Sequence, residues 1–186
     1  MHCLKKCYLR EYIHSWQIMR IYLIGFMGSG KTTLGKRLAR RLEYAFVDLD
    51  QELEQAEGVS VPELFRMHGE AHFRELERDV LHATAKLERV VVATGGGTPC
   101  FFDNMDFILQ HGVSVYLRMN HVSLAHRLEN AFVKRPLVEN LKGEDLIEFI
   151  ENKLKEREPW YMKAHCVIKG ETVKPDHVIS LVFGYG

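Results

Sequence analysis

The protein has 186 residues, of which 46% are hydrophobic and 27% are charged, and this length suits one well-cored domain but is short for two. Its 25 basic and 25 acidic side chains give a formal net charge of zero at pH 7, whereas proteins that bind DNA or RNA usually carry a basic excess. The composition therefore argues against nucleic acid as a partner, and any phosphate chemistry must depend on a local arrangement of charges.

Residues 1–19 precede the first predicted strand. They contain basic residues but neither a continuous apolar segment nor a small-residue cleavage site, so they do not resemble a secretory signal. We interpret them as an N-terminal extension that is not part of the core, and residues 20–186 as a single domain. No segment has the roughly 18 apolar residues of a transmembrane helix, so we expect no membrane partner, and we expect a monomer.

The segment Gly25–Thr33 reads Gly-Phe-Met-Gly-Ser-Gly-Lys-Thr-Thr and matches the pattern G-x-x-x-x-G-K-[ST]. An apolar run typical of a buried strand, Ile21–Ile24, precedes it, and the helical pattern of Lys31–Leu42 follows. In such a phosphate loop, backbone N–H groups surround phosphate oxygens, the lysine reaches the β- and γ-phosphates, and the Thr32 hydroxyl coordinates Mg²⁺. A glycine-rich turn without a ligand is the alternative, but the strand, loop and helix together favour a nucleotide site. The residues assigned to the nucleotide here are Gly28, Ser29, Gly30, Lys31, Thr32 and Thr33, and they become the expected ATP contacts through the resemblance given below.

Short strand-like runs alternate with helical patterns along the rest of the chain. After Ile21–Ile24, strands are predicted at Ala45–Val47, Val90–Ala93, Val113–Leu117 and Cys166–Ile168. Helices are predicted over Gln51–Ala56, Pro62–His68, from near Glu70 to Leu87, Asp103–Gln110, His121–Leu128, Asp145–Tyr161 and Asp176–Phe183. This alternation predicts a three-layer α/β/α fold with a five-stranded parallel sheet.

Ligands of such folds bind outside the carboxyl ends of the strands. Four candidate groups follow strands in this sequence: the phosphate loop, the pair Asp48 and Asp50, the run Gly95–Gly97, and Arg118. Because residues i and i+2 of a strand lie on the same side, both aspartates can face the crevice beside the phosphate loop. One could hold Mg²⁺ through water while the other meets an acceptor hydroxyl. Asp50 is equally well interpreted as a helix N-cap, but that does not explain Asp48.

Three further segments carry candidate groups for binding an anion. Arg74 and Glu77, spaced i and i+3 on a predicted helix, either form a solvated face or bind an anionic substrate group through Arg74. The run Gly95–Gly97 follows a buried strand directly, which favours close approach of a ligand over a merely flexible loop. Residues 129–142 form a polar connection that contains Arg135, and we predict that this connection is a mobile lid.

Taken together and in this order, the motifs resemble those of the shikimate kinase family, a family of small P-loop kinases related in fold to the nucleoside monophosphate kinases. The resemblance covers residues 20–186. It rests on the phosphate loop, Asp48-x-Asp50, Phe73-Arg74 with Glu77, Gly95–Gly97, Arg135-Pro136-Leu137 and Arg157-x-Pro159-x-Tyr161. It implies transfer of the γ-phosphoryl group of ATP to the 3-hydroxyl of shikimate with Mg²⁺, a step of aromatic amino-acid (chorismate) biosynthesis.

The resemblance also implies roles for individual residues. The catalytic residues are expected to be Lys31, Asp50 and Arg135, with Asp50 acting on the shikimate hydroxyls as a base or an orienting group and the two cations stabilising charge on the phosphoryl group. Thr32 and, through water, Asp48 are expected to hold Mg²⁺.

The expected contacts of the two substrates complete this assignment. The shikimate contacts are expected to be Asp50, Arg74, Gly96, Gly97, Arg157, Phe65, Phe73 and Glu77, with Glu77 holding Arg74 in place. Arg135 is also expected to contact ATP, and Arg127 and Pro175 are the candidates for its adenine side.

Two other functions stay open at this point. A gluconate or nucleotide kinase of the same fold would share the phosphate loop, although Arg74, Arg157 and the three consecutive glycines favour shikimate. A module that binds ATP without catalysis would not require the complete set of candidate catalytic residues. The four cysteines, at positions 3, 7, 100 and 166, form no Cys-x-x-Cys pair, which predicts free thiols in a reducing, cytoplasmic setting.

Arg135→Ala is expected to lower mainly the rate constant, because an arginine on a closing lid acts on charge that develops during phosphoryl transfer. Steady-state kinetics with both substrates varied would measure this effect. A change confined to the apparent affinity for the acceptor would contradict the lid role of Arg135.

Overall fold

Five strands form the centre of the structure, which is a computed structural model that describes residues 19–131, 138 and 141–184. Their bounds are β1 Arg20–Ile24, β2 Ala45–Asp48, β3 Val90–Ala93, β4 Val113–Arg118 and β5 Cys166–Lys169. They lie in the order β2-β3-β1-β4-β5, and every pairing is parallel. The five-stranded parallel sheet predicted from the sequence is confirmed.

Helices cover both faces of this sheet. The described helices are α1 Lys31–Leu42, α2 Leu49–Glu57, α3 Val61–Ala83, α4 Asn104–His111, α5 His121–Glu129, α6 Gly143–Tyr161 and α7 Pro175–Phe183. Alternate residues of β1 enter two separate apolar cores, as the period of a strand requires. Ile21 and Leu23 pack with α1 and α7, whereas Tyr22 and Ile24 pack with α3, α4 and α6. The result is the predicted α/β/α arrangement of three layers.

The core begins one residue earlier than predicted. Met19 is buried among the residues that pack under α1 and α7, and its carbonyl accepts a hydrogen bond from Val90 N at 3.3 Å. Residues 1–18, the rest of the predicted extension, lie outside the described residues. None of the helices in the described ranges is long and apolar enough to cross a membrane.

The long helix α3 agrees with the sequence prediction at its centre and differs at its end. Gly69 has a non-helical conformation (φ 77°, ψ 174°), so the helix is broken between His68 and Glu70, as predicted. The predicted continuation to Leu87 is wrong, because α3 ends at Ala83 and Leu87 is 39% exposed. The cause lies in the Thr84 hydroxyl, which bonds the Leu81 carbonyl at 2.6 Å and Tyr22 Oη at 2.9 Å, so that the chain tightens into a 3-10 turn.

The predicted lid connects α5 to α6. The two helix ends are tied together, because Gly143 N donates a hydrogen bond to Glu129 Oε1 at 2.7 Å. Val138, within the connection, is buried in a small apolar core that includes Phe26 and Leu124. Arg135 lies outside the described residues, and the mobile lid therefore stays a prediction.

Candidate active site

A cleft of about 350 Å³ opens at the carboxyl ends of β1, β2 and β3. Most of the residues that the sequence analysis assigned to a site line this cleft. They are Gly28, Gly30, Lys31, Thr32, Thr33, Asp48, Asp50, Phe65, Phe73, Arg74, Glu77, Gly96, Gly97, Arg127 and Arg157. The parallel sheet accounts for this convergence, because its strand ends bring segments distant in sequence to one edge.

The phosphate loop joins β1 to α1 with the backbone that its glycines allow. Gly28 has φ 80° and Gly30 has φ 90°, values at which an L side chain is strained. The Lys31 side chain is buried along the loop, and its Nζ donates to the carbonyls of Gly25 at 2.8 Å and Phe26 at 2.9 Å. The first turn of α1 carries no acidic residue, so the partial positive charge of the helix N-terminus faces the cleft uncompensated by its own turn. This arrangement suits a bound phosphate.

Asp48 and Asp50 both line the cleft, but not for the reason predicted. Strand β2 ends at Asp48 and helix α2 begins at Leu49, so Asp50 lies in the first helical turn and not on the strand. The helix N-cap is Asp48, whose Oδ1 accepts a hydrogen bond from Asp50 N at 3.2 Å. The interpretation of Asp50 as the cap is therefore wrong, because the carboxylate that satisfies the first backbone donors comes from the preceding strand end.

Thr32 and Asp48 form a pair of oxygen donors beside the phosphate loop. Thr32 Oγ1 donates a hydrogen bond to Asp48 Oδ2 at 2.6 Å. Thr32 lies in the first turn of α1, and Asp48 is the last residue of β2. Hydroxyl and carboxylate oxygens suit Mg²⁺, which uses few protein ligands and takes the rest from phosphates and water. Across the described ranges there is no group of three or more His, Cys, Asp or Glu side chains that could hold a metal by itself. The oxygen donors of Thr32 and Asp48 fit a magnesium ion that takes its other ligands from a nucleotide and water.

The three consecutive glycines after β3 are required by close approach of side chains to the backbone. A Cβ on Gly95 would lie 2.3 Å from Glu77 Oε1, and a Cβ on Gly97 would lie 2.7 Å from Arg74 Nη1. On Gly96 it would lie 3.0 Å from the backbone nitrogen of Met27 in the phosphate loop. Each glycine thus makes room for a different part of the site, which explains why the run follows a buried strand.

Arg74 is 4% exposed and is held by two carboxylates of its own helix. Its Nη1 donates to Glu77 Oε2 at 2.7 Å, and its Nε and Nη2 donate to Glu70 Oε1 at 3.2 and 2.9 Å. These three bonds to described residues leave two of the five guanidinium N–H donors for a ligand. The ring of Phe101, which the sequence analysis did not assign, lies 4.2 Å from Arg74 Cζ.

Glu77 is 3% exposed, and burial raises the pKa of its carboxyl group above the usual value. The Arg74 charge and hydrogen bonds from Thr98 and Arg74 oppose that increase, whereas the Asp50 charge adds to it. The ionised state of Glu77 therefore depends on the donors around it.

Arg157 lies at the same end of the cleft as Arg74. It is 8% exposed, its guanidinium lies 5.4 Å from the Phe26 ring centroid, and its Nη1 has no hydrogen-bond partner among the described residues. One turn later on α6, the hydroxyl of Tyr161 donates to the Gly96 carbonyl. Burial raises the pKa of Tyr161, so this hydroxyl stays protonated as a donor. A buried cationic donor without a partner indicates a place for an anionic ligand group.

The remaining predicted residues lie at the margins of the cleft or outside it. Arg127 Nη1 donates to the Gly28 carbonyl at 3.3 Å, and its Nη2 donates to the Glu171 carbonyl, so this arginine links the phosphate loop to the segment after β5. Ser29 is buried within the loop and does not line the cleft, and neither does Pro175, the first residue of α7. Arg118 does not line this cleft, and its Nη2 forms an ion pair with Glu158 Oε1 at a distance of 2.6 Å. The expectation that Arg118 belongs to the site, which came from its position at the end of a strand, is therefore wrong.

Sequence reasoning gave no role to three lining residues, Met27, Val61 and Thr94, and it named Gly95 only as a member of the glycine run. It also missed Thr98, which does not line the cleft but bonds Glu77 at 2.6 Å. Gly95 was part of the glycine run, whereas nothing in the local sequence marks Thr98, because its partner lies 21 residues away.

Comparison with known proteins identifies the family. The family model described as shikimate kinase matches residues 27–183, which is most of the chain. The chain belongs to the shikimate kinase family. The protein is thus an ATP-dependent phosphotransferase, as the resemblance of its motifs to this family implied.

Individual members of the shikimate kinase family show how close this similarity is. The chain is 47% identical over 161 residues to the shikimate kinase of Phocaeicola vulgatus, an alignment that covers 87% of this chain and 92% of the relative. A crystal structure of shikimate kinase from Bacteroides thetaiotaomicron has a TM-score of 0.85 and 40% identity, covering 89% of this chain and 98% of that one. Shikimate kinase from Acinetobacter baumannii in complex with shikimate has a TM-score of 0.81 and 32% identity, covering 92% and 97%.

Gly97→Ala is expected to raise the KM for shikimate about tenfold, because the added Cβ would displace the Arg74 guanidinium at a cost of roughly 1–3 kcal/mol. The KM for ATP should change little, since the three atoms nearest to the added Cβ all belong to Arg74 and none to the phosphate loop. Steady-state kinetics would measure both constants, and thermal unfolding would check that the variant is folded. An equal rise in both KM values would show that the substitution disturbs the whole cleft.

Proposed function

We propose that the protein transfers the γ-phosphoryl group of ATP to the 3-hydroxyl of shikimate and that the cleft holds both substrates. The observation that carries this proposal is the juxtaposition of a phosphate loop with two buried arginines in one cleft, of which Arg157 has an unpartnered Nη1. Family membership and the shikimate-bound relative from Acinetobacter baumannii support the choice of acceptor.

The acceptor end of the cleft suits a small carboxylated alcohol. Arg74 and Arg157 supply donors for a carboxylate, which arginine recognises well because its N–H groups form a planar fork. Phe65 and Phe73, whose ring centroids are 4.3 Å apart, form an apolar wall. Asp50 faces the same space and is the proposed base or orienting group for the acceptor hydroxyl.

The nucleotide end suits a triphosphate. The loop amides and the N-terminus of α1 receive the phosphates, and Lys31 stabilises negative charge on the transferring group. Thr32 and, through water, Asp48 would hold Mg²⁺, which when bound neutralises charge on the β- and γ-phosphates. Arg127 and Pro175 are proposed for the adenine side and Arg135 for the lid.

This chemistry needs positioning and electrostatic stabilisation more than covalent catalysis. The cleft provides both, because Lys31, Arg74 and Arg157 are buried, and hydrogen bonds hold Lys31 and Arg74 before a ligand binds. Asp50 would accept or orient the hydroxyl proton, the acceptor oxygen would attack the γ-phosphorus, and ADP would leave. Closure of the predicted lid over the substrates would exclude water from the cleft.

The proposed cytoplasmic location rests on the cysteines. Cys100 and Cys166, those within the described residues, are free thiols. Burial raises the pKa of Cys100 to about 11, so its thiol stays protonated and unreactive at neutral pH despite its place near the two arginines. A monomeric state is likewise retained as a prediction.

An acceptor panel tests the proposed function. Purified protein is incubated with ATP and Mg²⁺, and ADP release is measured with shikimate, gluconate or a nucleoside monophosphate as acceptor. We expect shikimate to give the highest kcat/KM. Faster turnover of either alternative would overturn the assignment, and ATP binding without transfer to any acceptor would favour a non-catalytic module.

Arg157→Gln and Arg127→Gln form a matched pair of variants, the first among the proposed shikimate contacts and the second among the proposed ATP contacts. Arg157→Gln is expected to raise the KM for shikimate about 10–100-fold with little change for ATP, because a charge-assisted hydrogen bond contributes about 1.5–3 kcal/mol. Arg127→Gln should act in the opposite sense, raising the KM for ATP alone. Steady-state kinetics with each substrate varied would measure this, and a change shared by both substrates in both variants would contradict the division of the cleft.

A further inference from the structure

We propose that Thr98 is a positioning residue for shikimate recognition, whose hydroxyl group fixes the Glu77 carboxylate in the geometry that presents Arg74 to the acceptor. This inference rests on the proposed function and adds a residue from an element that does not itself line the cleft.

The first observation is that both oxygens of Glu77 are held by different elements. Thr98, which is 0% exposed, donates from Oγ1 to Glu77 Oε1 at 2.6 Å. Arg74 Nη1 donates to the other oxygen, Oε2, at 2.7 Å. With only the second bond, the carboxylate could turn about its terminal torsion, which is broad and soft for glutamate. The hydroxyl of Thr98 therefore determines the plane in which Glu77 meets the guanidinium.

The second observation is that Thr98 is itself fixed. Asn104, at the start of α4 and also 0% exposed, donates from Nδ2 to the Thr98 carbonyl at 2.9 Å. The 3-10 turn Thr98–Cys100 is closed by a bond from Cys100 N to the Gly97 carbonyl at 2.8 Å. A supporting residue must be rigid to position another, and these bonds make it so.

The third observation is that the same turn approaches Arg74 from a second side. Phe101 follows the turn directly, and its ring centroid lies 4.2 Å from Arg74 Cζ. Gly95 contacts the hydrogen bond between Thr98 and Glu77. A Cβ on Gly95 would lie 2.8 Å from Thr98 Oγ1 and 2.3 Å from Glu77 Oε1, so both oxygens pack against the Gly95 backbone. The turn thus supports the arginine both through Glu77 and through an aromatic face.

Loss of the hydroxyl would leave a buried carboxylate oxygen with one donor fewer, and such a loss is expensive where the local dielectric is low. Glu77 would relieve it by rotating or by taking up a proton, and either change would alter the direction of the Arg74 N–H groups. Within the part of the chain that the structure describes, the hydrogen bonds of the Thr98 hydroxyl and carbonyl run to Glu77 and Asn104, neither of which belongs to the phosphate loop.

Two variants at this position test the proposal. Thr98→Val keeps the shape of the side chain and removes the hydroxyl, whereas Thr98→Ser keeps the hydroxyl. Shikimate binding is measured by calorimetry, the KM of each substrate and kcat by ADP release, and folding by thermal unfolding. We expect Thr98→Val to raise the Kd and KM for shikimate about tenfold and the KM for ATP less than about twofold, with Thr98→Ser close to the wild type.

A double-mutant cycle tests whether Thr98 acts through Glu77. In a Glu77→Gln background, Thr98→Val should add less than about twofold to the KM for shikimate, because the carboxylate that it positions is gone. Full additivity would overturn the proposal, as would native shikimate affinity in Thr98→Val or equal impairment in Thr98→Val and Thr98→Ser. If Thr98→Val does not fold, Thr98→Ala takes its place, and native shikimate affinity in that variant would count against the role equally.

The wild-type protein separates this inference from the proposed function. Absence of shikimate turnover by the wild type would overturn the function, whereas normal wild-type turnover with an unaffected Thr98→Val would overturn only the role of Thr98.

Discussion

The cleft depends on one constraint, which is the burial of charged side chains in direct contact with the backbone of glycine residues. Lys31, Arg74, Glu77 and Arg157 are each less than a tenth exposed, and a buried charge is tolerated only when it is paired or hydrogen-bonded. The pairing requires atoms to lie closer to the main chain than a Cβ would permit at Gly95 and Gly97. The glycines after β3 therefore determine where the charges of Arg74 and Glu77 can be placed.

This constraint also explains how the cleft is prepared for its ligands. Lys31 is held by two loop carbonyls and Arg74 by two carboxylates, so both cations are oriented before a substrate arrives. Arg157 differs, because its Nη1 lacks a partner among the described residues. A donor left unsatisfied in the folded protein gains a full hydrogen bond when an anion binds, which favours recognition of a carboxylate over a neutral group. Phosphoryl transfer benefits directly, since it depends mainly on such prior orientation.

Two of the predictions that failed, at the start of α2 and at the end of α3, share a physical cause. Both Asp48 and Thr84 use a side-chain oxygen to bond the backbone or a neighbouring side chain, and each shifts a boundary that hydrophobic spacing alone would place elsewhere. At Asp48 this bond starts a helix and moves Asp50 from a strand into a helical turn. At Thr84 it ends a helix and leaves Leu87 in solvent. Periodicity reports burial, but it does not report this competition for backbone donors and acceptors.

The sequence by itself determined the succession of strands and helices along the chain, the parallel type of the sheet and the phosphate loop. These features follow from apolar runs, helical spacing and glycines, and each of these patterns lies within a short stretch of sequence. It also supplied most of the cleft residues, since parallel strands place their carboxyl ends together. Only the tertiary structure decided which charges meet. Thr98 reaches Glu77 across 21 residues and Arg127 reaches Gly28 across 99, and such contacts follow from how packed layers align, which no local pattern records.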